Sequence, residues 1–118
     1  MKVHDLKCWA WSFDAIASGE KTADLRKNDR DYHVGDILRL NRTPSDCMAP
    51  GTYFPPEPVK KMFVLVKHVF SASEVLGAAG DGYVVMSVSR DGVMDAFASE
   101  SERLINESLE KENKGEKP

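Results

Sequence analysis

Apolar and polar residues along this chain switch between two periods, and the switches mark the elements. Lys2 to Cys8 alternates around Val3 and Leu6, which predicts a first strand. Trp9, Phe13, Ile16 and Ala17 then recur at helical spacing, and Gly19 is placed to end that helix. Period two returns at once: Thr22, Asp24, Arg26 and Asn28 fall on one face of a strand, Ala23 and Leu25 on the other. The expected arrangement is a small apolar face against a packed scaffold and a polar face presenting an acid and a fixed cation. Asn28 to Asp31 has turn composition, and Val34-Gly35-Asp36 reads as a second tight turn into a strand over 37–42. Adjacent Ile37 and Leu38 break the alternation, so that strand should be buried on both faces where it starts.

Residues 43–58 carry six prolines and glycines and read as a loop. Met48, Tyr53 and Phe54 lie within it, so that closure over a ligand and disorder are both open readings. Val59 to Phe70 is the strongest strand candidate. Ser71 and Glu74 have capping-box spacing for a short helical turn, in which Glu74 caps. Gly77 to Gly82 reads as a turn and Gly82 to Ser89 as a final strand, with Tyr83 at its start. From Asp91 an amphipathic helix is expected, with Met94, Phe97, Leu104, Ile105 and Leu109 along one side and a frayed tail from Lys111. Several short strands with one inserted helix and no helical crossovers predict an α+β fold built as a small mixed β-barrel. The expected division is a domain over 1–90 and a helix with a charged tail over 91–118.

Composition narrows the function classes. At 118 residues and 42% hydrophobic, one core is expected. No apolar run approaches the roughly 20 residues that span a bilayer, and the N-terminus lacks a signal-peptide stretch, so no membrane partner and a cytoplasmic location are expected. Cys8 and Cys47 should be reduced, and a buried inert thiol is the reading for Cys8. His4, His33 and His68 are too scattered for a metal site, and no cofactor is implied. A net charge of −3 argues against a nonspecific duplex binder but not against a pocket for one nucleotide.

The densest chemistry lies at Lys21, Asp24 and Arg26. Lys21 can neutralise a phosphate or, desolvated, act as a base. Asp24 and Arg26, two residues apart on one face, can pair structurally or read a base edge, the acid accepting from amino groups. Lys27, Asn28 and Arg30 are candidate phosphate contacts against the plain reading of a solvated turn. Trp9 fits the helical stripe and belongs to the core by pattern; Trp11 falls off it and is the better wall for a cleft, where an indole stacks on a base. Tyr83 is a further candidate for the cleft, with core packing as its plain reading.

The run Gly19-x-Lys21-x-x-Asp24-x-Arg26 resembles the G-x-K-x-x-E-x-R signature of ASCH domains, in the PUA-like superfamily. His4-Asp5-Leu6-Lys7, Phe13, Ser18 to Thr22, Arg26 to Arg30, Val34-Gly35-Asp36 and Gly82 to Val88 extend the resemblance over about residues 1–90, toward a short phage and bacterial branch. The resemblance implies a PUA-like barrel with a cleft beside the signature strand, and RNA or a modified nucleotide as ligand. Some relatives in that superfamily are amidohydrolases acting on acetylated cytidine, and others have been proposed as ribonucleases. Lys21 and Asp24 would then be catalytic. Asp24 stands where the amidohydrolase pattern has threonine and where the broader signature has glutamate. Three functions follow: an RNA- or nucleotide-binding module, a nucleoside amidohydrolase or ribonuclease, and a phage protein that blocks a host factor. In the third, 91–118 would serve as partner contact or dimer element.

Overall fold

The computed structural model describes residues 1–43 and 60–115, with side chains described as far as Lys111. The proline-rich segment, apart from Thr43, lies outside the described residues, and with it Cys47 and the lid candidates Tyr53 and Phe54. The elements run β1 (Val3–Trp9), α1 (Ala10–Ser18), β2 (Ala23–Lys27), β3 (Ile37–Thr43), β4 (Lys61–Ser71), α2 (Ser73–Leu76), a 3-10 turn (Gly77–Gly80), β5 (Tyr83–Ser89) and α3 (Val93–Gly115). The fold is α+β. The five strands form one mixed sheet in the order β1-β3-β4-β5-β2, with β1 parallel to β3 and the other pairs antiparallel.

The sheet curls into a half-barrel. Its two edge strands, β1 and β2, approach closely enough for Arg26 Nη1 on β2 to donate to the Lys7 carbonyl on β1 at 2.9 Å. The core fills the concave side: Leu6 and Cys8 from β1, Leu38 and Leu40 from β3, Met62, Val64 and Val66 from β4, and Val84, Met86 and Val88 from β5. Phe13 and Ile16 of α1 close over it. Burying these side chains supplies the main folding term, about 1.5–3 kcal/mol for each large apolar group. Ile37 and Leu38 are both fully buried, as their adjacency predicts.

α1 is fixed on the sheet by a two-pronged ion pair. Arg42 of β3 donates Nε to Asp14 Oδ1 at 3.0 Å and Nη2 to Asp14 Oδ2 at 2.9 Å. Gly19 ends the helix at φ +87°, a left-handed conformation that favours glycine, with its N–H on the Ile16 carbonyl. Gly80 has a different reason to be glycine: a Cβ there would sit 2.5 Å from the Ala72 backbone.

Several expectations are corrected. The first turn of α2 is capped at Ala72 rather than Ser71, and no side chain caps it; Ser71 Oγ instead accepts from the Ser73 N–H. Trp9 is not core: it ends β1 on the outward side at 45% exposure. α3 does not fray at Lys111 but runs to Gly115. Its apolar stripe does not pack as a unit either. Val93 is buried and Phe97 meets Phe63 of β4 edge to face at 5.8 Å, whereas Met94, Leu104, Ile105 and Leu109 are exposed. Every residue from Ser101 to Lys111 is exposed.

The largest correction concerns β2. Its burial runs the opposite way to the apolar pattern: Asp24 is buried and Arg26 half-buried, while Ala23, Leu25 and Lys27 face outward. Register explains it. Asp24 pairs with Met86 and Arg26 with Val84, both core residues of β5, so the face of β2 that carries them must share the concave side. Val84, Met86 and Val88 offer more apolar area than Ala23 and Leu25, and the sheet settles on their preference.

Candidate functional site at the seam of the half-barrel

An open cleft of about 560 Å³ follows the seam between the two edge strands. β1 contributes Lys7, Cys8 and Trp9; α1 contributes Trp11 and Ser12; Lys21 and the whole of β2 form the opposite wall. The turn at Gly19 returns the chain beneath α1, and the Lys21 N–H donates to the Ala15 carbonyl at 3.0 Å. The Lys21 side chain thereby lies beside Ser12, one turn back along the helix.

The wall carries a continuous row of hydrogen bonds. Lys21 Nζ donates to Ser12 Oγ at 2.7 Å and to Asp24 Oδ1 at 3.3 Å. Arg26 Nε donates to Asp24 Oδ2 at 2.7 Å, and its Nη1 reaches Lys7 across the seam. Asp24 thus has a cationic donor on each oxygen while it is 5% exposed, which is what a buried carboxylate requires. Cys8 is buried behind the row; burial pushes its thiol pKa up, against the lowering effect of a hydrogen bond with Ser12. The thiol is free and buried, as expected for it.

The rim is apolar and aromatic. Trp11 is 60% exposed, and the Lys21 ammonium stands 5.7 Å from its ring centroid, within cation–π range. Trp9 and Leu25 line the same opening, and both are about half exposed.

The structure therefore brings together Lys21, Asp24, Arg26, Lys27 and Trp11 of the predicted residues. It does not bring in Asn28, Arg30 or Tyr83, none of which lines the cleft. Asn28 spends its backbone N–H on Gly82, Arg30 is exposed in the following turn, and Tyr83 is 41% exposed at the far end of the β2–β5 ladder, opposite Lys27. Glu74 lies on α2, also outside the lining. Sequence reasoning missed Ser12, Lys7 and Cys8 as wall residues and misplaced Trp9. A serine on the helix with a lysine just beyond the helix stop is the signal that could have found Ser12. Among the described residues no group of His, Cys, Asp and Glu side chains could hold a metal ion, and no helix is long and apolar enough to cross a membrane.

A second buried aspartate lies at the opposite end of β1. Asp36 accepts from the Lys2 and His33 backbone N–H groups, each at 3.0 Å, and from His4 Nε2 at 2.9 Å. The His4 ring packs 4.8 Å from that of Tyr32. Burial alone would raise the Asp36 pKa; the His4 hydrogen bond and the two backbone donors outweigh it and hold the carboxyl below its ordinary value.

Fold and cleft together define a small α+β half-barrel protein with a cationic, aromatic-rimmed cleft between its edge strands. The model of the family described as a domain of unknown function, DUF3850, matches residues 3–88, so the chain belongs to that family. It is also similar to an uncharacterized 12.9 kDa protein encoded in the GpA 3' region of Escherichia phage P2, 45% identical over 40 residues. That match spans 34% of this chain and 37% of the phage protein, little more than a third of either.

Proposed function

We propose that this chain is an ASCH-type, PUA-like module that binds RNA or a modified nucleotide in the seam cleft. The observation that carries the reading is the row Ser12–Lys21–Asp24–Arg26, set into one wall of a cleft whose rim holds Trp9 and Trp11. Cations supply affinity for a phosphate backbone, and an indole supplies a stacking surface for a base of any identity. The curled mixed sheet and the position of the signature strand on the cleft agree with the family resemblance. Lys21 is used here as a donor to both Ser12 and Asp24. Those two bonds fix the ammonium in the wall and leave its third hydrogen for a ligand, which favours binding over an amidohydrolase or ribonuclease reaction. The test is a thermal-shift and calorimetric screen against nucleosides, nucleotides and short RNAs, with Lys21→Ala as control. Saturable binding lost in the variant supports the reading. An intact fold that binds none of them at low salt defeats it. Turnover of a bound acylated nucleoside or RNA would move the protein to the hydrolytic alternative.

One observation supports a second reading, a protein contact through α3. Leu104, Ile105 and Leu109 are 52–60% exposed on a helical segment whose described side chains are all exposed from Ser101 onward. Contiguous apolar surface of this kind marks interaction sites. Light scattering and pull-down with a Leu104→Glu/Ile105→Glu variant test it: an unchanged mass and an unchanged partner set remove α3 from the account.

A further inference from the structure

From the hydrogen-bond inventory of the cleft we infer that its occupant is recognised through an oxyanion, a phosphate of a nucleotide, and that Asp24 is a positioning residue which does not touch it. The inference rests on the nucleotide-binding reading and specifies what the wall reads. Among the described residues, four cationic ones, Lys7, Lys21, Arg26 and Lys27, line the cleft against one carboxylate, Asp24. That carboxylate is 5% exposed and has a donor on each oxygen. Ser12 Oγ, the wall's hydroxyl, accepts from Lys21 and is 5% exposed. Side-chain acceptors are thus already engaged, while donors are left over. Lys21 retains the ammonium hydrogen not given to Ser12 or Asp24. Arg26 spends Nε on Asp24 and one Nη1 hydrogen on Lys7, which leaves its Nη2 amino group and the other Nη1 hydrogen.

A wall that offers its leftover donors to the cleft suits a group that only accepts. Phosphate is such a group, and charge-assisted bonds from lysine and arginine to it are the strong kind. Among the described residues the side-chain acceptors of this wall are already engaged by its own cations, so the role of Asp24 as a reader of base amines does not fit its surroundings. Asp24 instead holds Lys21 and Arg26 apart on the wall and neutralises part of their mutual repulsion. The cation–π contact of Lys21 with Trp11 places the indole next to the phosphate donors, the relation a base has to its own phosphate.

The test uses the full chain and its own fluorescence, since both tryptophans of the sequence line the cleft. Four probe sets are titrated at low and high salt: nucleosides, nucleoside monophosphates, inorganic phosphate and a short RNA without terminal phosphates. The expected result is affinity about tenfold or more greater for monophosphates than for the matching nucleosides, falling as salt rises. Arg26→Lys should shrink that ratio severalfold; it keeps the charge but loses the fork. An RNA that binds as tightly as the monophosphates supports the inference with an internal phosphodiester as the source, and an RNA that does not bind supports it with a free or terminal phosphate. Nucleosides that bind as tightly as monophosphates overturn the inference and leave the nucleotide-binding reading standing. Failure of every nucleoside, nucleotide and RNA to bind overturns both.

Discussion

Among its described residues the protein buries two aspartates to nearly the same depth, Asp24 at 5% exposure and Asp36 at 4%, and surrounds them with different chemistry. Asp36 is satisfied by two backbone N–H groups and one imidazole, all short and fixed. Asp24 is satisfied by two long cationic side chains that line an open cleft. The first arrangement ties the start of β1 to the turn before β3 and spends the carboxylate on backbone and imidazole donors. The second stores positive charge at a surface and keeps it oriented. Depth of burial alone would have ranked the two alike; the identity of the donors separates a staple from a candidate site.

Removing the staple should have the largest effect. Asp36→Ala orphans two backbone donors and His4 together, and a buried donor left without a partner costs about 1–3 kcal/mol. Partial access of water limits the sum, so a loss of about 3 kcal/mol is expected, seen as a drop of roughly 10 °C in calorimetric melting. Ligand binding by the folded fraction should be unchanged. A variant that melts like the parent would show that the Asp36 cluster is not a staple.

Lys21→Ala should reverse the balance. Lys21 retains partial exposure, with 27% of its side chain accessible, and Asp24 keeps Arg26, so denaturation should register only about 1 kcal/mol. Nucleotide affinity should fall about tenfold or more. Equal losses of stability and affinity would erase the distinction between the two aspartates.

Acid separates Asp36 from the surface pairs as well. The folded pKa of Asp36 lies below the ordinary 3.8, so this carboxylate stabilises the fold above that pH and the contribution disappears as pH falls through the folded value. Asp5, lowered to about 2 by hydrogen bonds from Arg39 and Asn41, acts in the same direction from an exposed position, and Asp14 does so through Arg42. Salt screens exposed pairs far more than buried ones. Chemical denaturation across pH 2–5 should therefore show an acid limb that persists in high salt, and Asp36→Asn should flatten the persistent part. A limb abolished by salt would assign it to the surface pairs instead.

Much of the architecture was legible in the sequence because strand and helix periods are local. β1, α1, β3, β4, β5 and the onset of α3 fall close to where the periodicity places them. The signature residues Lys21, Asp24 and Arg26 were legible as chemistry, and Trp11 as a cleft wall, because it breaks the helical stripe. What failed depended on partners distant in sequence. Trp9 belongs to the stripe only if the helix begins before Ala10, and the strand keeps it. Asp36 read as a turn residue since its donors, at Lys2 and His4, stand 34 and 32 residues away in sequence, at the start of the parallel neighbour strand. The extent of α3 packing was illegible because an amphipathic stripe says that a face wants cover without saying how much of it is covered.

β2 gives the smallest expected effect and the most specific check on that lesson. Alternation alone assigns Leu25 to the packed face, where truncation to alanine would cost about 2–5 kcal/mol. Pairing with β5 turns it outward at 57% exposure on the rim of the cleft. Leu25→Ala should accordingly change stability by no more than about 0.5 kcal/mol, and Leu25→Lys should fold as well. Denaturant midpoints for these two variants decide between the faces. A loss of several kcal/mol in either would mean that β2 pairs with β5 one residue out of this register. Asp24 and Arg26 would then face solvent rather than the seam, and the wall of cations would not exist.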